Sequence, residues 1–153
     1  MSLISVIKMC VNMKMIVVTF VLSATAITLL SFNQAFDLKA SVQRGKTIYE
    51  TSCMSCHMPE GNGLEGTFPP LAKSKNLADK NKMIKVILLG MRGPVKVNGV
   101  NYDSQMPGVS LTDKEVSDVL NYIRNSWGNK YPAITPKEIQ PGLKAPAKGY
   151  QKF

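Results

Sequence analysis

The run Cys53-Met54-Ser55-Cys56-His57 constrains this chain more than any other stretch. Two thiols three positions apart, followed at once by a histidine, form the attachment signal for a c-type haem. The spacing has a covalent reason. On one helical turn two sulfurs reach the two vinyl groups of a single porphyrin, and the next residue sets its imidazole under the ring with a nitrogen towards the iron. A chain with this signal folds around a flat macrocycle.

Two other chemistries use such residues. A zinc site needs four protein ligands, or three and a water. Downstream of the N-terminal apolar segment this chain offers only two Cys and one His, with no second C-x-x-C. A thioredoxin-type redox pair belongs beside a strand-helix-strand pattern, and none is visible. Covalent attachment of one haem c through Cys53 and Cys56, with His57 as an iron ligand, is therefore the expectation.

The 153 residues suit one domain, and the net charge is +9. Lys8 and Lys14 precede a charge-free stretch from Met15 to Phe36 rich in Ile, Val, Leu and Phe, the pattern of a secretory leader. Met13-Lys14-Met15 would also serve as a compact start. Cleavage at Ala24-Thr25-Ala26 would leave Ile27 to Phe32 as an apolar stub, so Asn33-Gln34-Ala35 is the better end. The run 15–36 is about 22 residues, enough to span a bilayer uncleaved, and a membrane anchor stays open beside export. The expected division is a leader or anchor over 1–35, a haem domain over 36–128 and a Pro- and Lys-rich extension over 129–153. Removing 1–35 takes two of the 19 basic residues, none of the 10 acidic ones and also Cys10, so the remainder stays basic and both its cysteines sit in the haem motif.

Val42, Gly45, Ile48 and Tyr49 recur at helical spacing and predict a helix over 40–52. A glycine-rich loop from Met58 to Gly66 leads to Phe68-Pro69-Pro70-Leu71. One or two helices follow over 76–89, ended by Gly90, with Leu77, Met83, Ile84, Ile87 and Leu88 inward and lysines on the remainder. Asn98-Gly99 marks a short hairpin. Thr112 and Glu115 form a capping box at the head of a helix carrying the stripe Val116, Val119, Leu120, Ile123 and Trp127, with Gly128 as its end. Beyond it, Pro132, Pro136, Pro141 and Pro146 forbid a long helix, and an extended tail, laid over the domain or loose, is expected.

His57 is the only histidine, so two histidines of one molecule cannot ligate the iron. Met54 and Met58 flank His57 on its own side, and Met83 falls within a helical pattern. Met91 and Met106 remain, and Met106 is favoured because Pro107 stiffens an extended segment. A neutral thioether favours ferrous iron and raises the reduction potential.

With these motifs on the page, the stretch from about Val42 to Trp127 resembles the small bacterial class I cytochromes c. The resemblance implies an all-α fold of about four to five helices around one covalently held haem. In such proteins the glycine at Gly45, with the aromatic at Tyr49, packs on the C-terminal helix, here near Val119 and Tyr122. It further implies that the Pro70 carbonyl accepts the second ring N–H of His57, that Leu71 packs on the haem face and that Met106, in a Met-Pro loop, is the distal ligand. Attachment of the haem outside the cytoplasm agrees with the leader.

The function that follows is one-electron transfer by a carrier rather than catalysis, since two axial ligands leave no open site on the iron. The basic charge predicts protein redox partners with acidic docking faces. Nucleic acid is not expected, because no groove of alternating aromatic and basic residues is present. The competing readings are a haem subunit of a larger dehydrogenase or reductase, or a gas- or peroxide-binding haem protein if Met106 is not a ligand.

Overall fold

A computed structural model describes residues 35–153, together with Met13, Met15, Ile16, Val17 and Phe20. It divides into two units, 1–36 and 37–153. Lys8, Cys10, Lys14, the Ala24-Thr25-Ala26 site, Asn33 and Gln34 lie outside the described residues, as does most of the apolar run. Among the described residues no helix is long and apolar enough to cross a membrane.

The second unit begins with Asp37, whose carboxylate accepts from the Ala40 backbone N–H and caps α1, Leu38–Ser52. The haem motif follows immediately as the single turn α2, Met54–His57. After the glycine-rich loop come a 3₁₀ turn, Lys75–Ala78, and α3, Lys80–Leu89, capped by Asp79 and ended by Gly90 at φ 71°. Strands β1, Val95–Val97, and β2, Val100–Tyr102, form the antiparallel hairpin, pairing Val95 with Tyr102. Its turn residues Asn98 and Gly99 both have positive φ, as the tightest two-residue turns require.

Helix α4, Asp113–Arg124, opens with the expected capping box. It stops at Arg124 rather than continuing to Trp127. Asn125 takes the cap, and Trp127 turns to φ 52°, a left-handed conformation no helix admits. Helices α1 and α4 cross where Gly45 lies against Asp118. A methyl group on Gly45 would collide with the Asp118 carbonyl and sit 2.9 Å from Tyr122 Cβ. Only glycine lets the two backbones approach this closely.

Residues 129–153 are no loose tail. A short 3₁₀ turn, Pro136–Glu138, and α5, Ile139–Lys144, fold back on α3 and α4, and Ile134 and Ile139 are both fully buried. They join Tyr49, Leu77, Ile84, Val116 and Leu120 in one core. The prolines do forbid a long helix, but the expected boundary at residue 128 is not a structural one. Five α-helices and one two-stranded hairpin therefore make up the described part of the second unit.

Candidate haem site

The site starts from the junction of α1 and α2. The N–H groups of Cys56 and His57 both donate to the Cys53 carbonyl, at 3.2 and 3.0 Å, so the motif closes as one tight turn. Cys53, Cys56 and His57 all line one cleft. His57 is only 8% exposed, and burial pushes its pKa down despite the hydrogen bond it makes. A neutral imidazole is the form that binds a metal.

The partner of that hydrogen bond differs from expectation. His57 Nδ1 lies 3.0 Å from the carbonyl oxygen of Pro69, not of Pro70. Leu71 N–H donates to Gly61 O at 2.7 Å, and in a trans peptide the Pro70 carbonyl points opposite to that N–H. The carbonyl one residue earlier is left to meet the ring. A protonated Nδ1 fixes the tautomer that leaves Nε2 for iron. Pro70 and Leu71 both line the cleft, as wall rather than as hydrogen-bond partners of the imidazole.

The cleft is also lined by α3, the segment after it, the hairpin and the loop that follows, and both candidate methionines are among these residues. Met91 and Met106 form an isolated antiparallel bridge, with N–H to O distances of 2.8 and 2.9 Å in the two directions. The same loop is tied again where Val109 N–H donates to Ile87 O at 2.7 Å. Met83 also reaches the cleft, which its helical position did not suggest, while Met54 and Met58 are not among its lining residues.

The residues fit a haem. Both motif cysteines, the buried imidazole and two loop methionines line one cleft, the donor set that a covalently attached haem requires. Its walls are mainly apolar, with Leu120 and Ile123 of α4 serving both core and cleft. Behind Leu77 stands Arg124, 3% exposed, its Nη1 donating to the Leu77 carbonyl and its guanidinium 4.9 Å from the Tyr131 ring centre. Arg124 Nε has no hydrogen-bond partner. No sequence signal marked Arg124, because its isolation depends on Leu77 and Tyr131 converging on it from distant segments.

The rival chemistries fare worse. No three His, Cys, Asp or Glu side chains gather to hold a metal ion among the described residues. Burial, aided by the neighbouring Cys56, pushes the Cys53 thiol up to about 11, the reverse of the lowered value a redox-active pair needs.

The family model for cytochrome c matches residues 42–127. The chain belongs to the cytochrome c family. A cytochrome c-552 of Thermus thermophilus is 35% identical over 108 residues, covering 67% of this chain and 72% of that protein. A second match is the cytochrome c subunit of the quinone alcohol dehydrogenase of Gluconobacter oxydans, 34% identical over 101 residues. That match takes in 63% of this cytochrome but 21% of the subunit. The cytochrome c subunit of gluconate 2-dehydrogenase of Pantoea cypripedii is 36% identical over 103 residues, 63% of this chain and 23% of that subunit. This cytochrome is a small class I protein with one covalent haem c, and its role is electron transfer.

Proposed function

We propose that the protein is an exported mono-haem carrier whose iron is held by His57 below and Met106 above, on a macrocycle joined to Cys53 and Cys56. The bound haem supplies a ferric–ferrous couple. The chain's own residues do the remainder. Pro69 holds the imidazole in one tautomer, the apolar walls exclude water, and the bridge to Met91 sets Met106 at the cleft. The observation that carries this reading is a buried imidazole and a loop-borne thioether lining one cleft beside two free cysteines.

Spectra of the purified holoprotein and of Met106→Ala test it. The wild type should show the sulfur-to-iron band of a ferric thioether complex and refuse carbon monoxide in the ferrous state, whereas Met106→Ala should lose the band and bind the gas. Ready binding of carbon monoxide by the wild type would favour the open-site alternative. Mass spectrometry of the same sample reads both the added macrocycle and the N-terminus, which separates cleavage near Ala35 from retention as an anchor.

The 17 basic residues (19 less Lys8 and Lys14) against 10 acidic ones that remain after 1–35 support docking on partners with acidic faces. Electron-transfer rates should then fall as salt rises across the range where the screening length drops from about 30 to about 8 Å. A rate indifferent to salt would remove that partner class. The matches to dehydrogenase cytochrome subunits favour a second reading, a haem subunit of a larger complex. Stable co-purification with a dehydrogenase chain would select it.

A further inference from the structure

Residues 145–153, beyond α5, run back to the methionine loop rather than away from the fold. Arg92 N–H donates to the Gln151 carbonyl at 3.1 Å, and the Tyr150 hydroxyl donates to the Gly90 carbonyl at 2.9 Å. Between those two anchors lies Met91, whose backbone is paired with Met106 at 2.8 and 2.9 Å. The order across the loop is thus Gln151 on Arg92, then Met91 on Met106. Packing agrees: a methyl group on Gly90 would stand 2.7 Å from Phe153 Cβ, and one on Gly93 would stand 2.7 Å from Gln151 Oε1. Gly90 also abuts the Met106 backbone carbonyl itself. Without 145–153, the outer side of the Gly90–Arg92 segment would lose both hydrogen bonds.

We infer that residues 145–153 are a strap that holds the Met106 sulfur on the iron, with Tyr150 and Gln151 as positioning residues acting through the Gly90–Arg92 segment. This rests on Met106 being the distal ligand. Beyond that two-residue bridge the loop has one further backbone tie, Val109 N–H to the Ile87 carbonyl, and a loop held by so few bonds opens locally at low cost. Bracing from outside suppresses that opening. Each opening lifts the thioether away and exposes the iron to an external ligand, so the strap sets the lability of the sixth coordination position rather than the fold.

The test compares three holoproteins: the wild type, Tyr150→Phe and a chain stopped after Lys144. The probe is free imidazole added to the ferric form, read by its binding rate and by the intensity of the sulfur-to-iron band, with thermal melting followed in parallel. Losing one hydrogen bond from the brace should speed imidazole entry about three- to five-fold in Tyr150→Phe. Removing the strap should speed it about ten-fold or more and weaken the band, with haem attachment intact. Entry rates within about two-fold of the wild type would overturn the strap, and so would a slower melt-linked change with the band unaltered. If the shortened chain fails to fold, Tyr150→Phe decides alone. A wild type with no sulfur-to-iron band and immediate imidazole binding overturns the ligand reading itself, and the strap falls with it for that separate reason.

Discussion

Asp118 is the side chain on which the crossing of α1 and α4 depends. Only 2% of its side-chain surface is exposed, yet Ser41 and Arg44 reach it from α1, at 2.6 and 2.7 Å, and Lys114 from its own helix at 2.9 Å. Burial alone would raise its pKa, but the hydrogen bonds from Arg44, Ser41 and Lys114 outweigh it and hold the carboxyl below the usual carboxylate range. The sign follows. The stabilisation is complete above the unfolded value of about 3.9 and is lost as pH falls through the lower folded value. Because Arg44 and Lys114 stay half exposed, Asp118→Asn should cost the holoprotein about 1–2 kcal/mol at pH 7 and flatten the acid limb of its stability curve. Denaturant melts between pH 7 and pH 2 measure both. This cluster was not legible beforehand, since Arg44 and Asp118 read singly as surface charges. Gly45 was legible, because a helix-breaking residue four before an aromatic makes sense only at a close crossing. The Pro69 carbonyl was missed by one position, and the miss is a matter of peptide-plane direction, which depends on where Gly61 sends its own carbonyl.

Among the elements, the segment after α4 departs most from expectation. Its lysines and four prolines suggested a tail, yet Ser117 and Asn121 on α4 each donate to the Ile134 carbonyl, at 2.7 and 2.8 Å, and Asn121 Oδ1 accepts from Ile134 N–H. Two polar side chains on a helix thereby serve as docking points for a non-helical segment. Ile134 itself is fully buried. Ile134→Ala should cost about 2–4 kcal/mol, seen as a lower denaturation midpoint with an unchanged haem spectrum. A loss below half a kilocalorie would mean the segment merely lies on the surface. Helix starts were read correctly at Thr112, where a capping box is a local pattern. The helix end was not, since Trp127 is drawn out of the helical path to pack at 5.0 Å from the Tyr49 ring and 5.3 Å from Tyr122.

For the whole molecule, the cleft and the core share α4. Leu120 and Ile123 face both, so a chain whose cysteines never acquire the macrocycle leaves an apolar wall open to water. With both described thiols free and no disulfide to compensate, such a chain should be largely unfolded. Circular dichroism of protein made without haem attachment checks this, and a native-like helical signal would count against it. What the sequence determined by itself was what short-range covalent and helical geometry can carry: the attachment motif, the haem and the all-α class. The capping box at Thr112 belongs with them, since it is written in neighbouring residues. What only the tertiary structure decided was which carbonyl meets His57, what braces Met106 and where Arg124 is stranded. Those depend on segments dozens of residues apart arriving at one place, and no local pattern encodes that arrival.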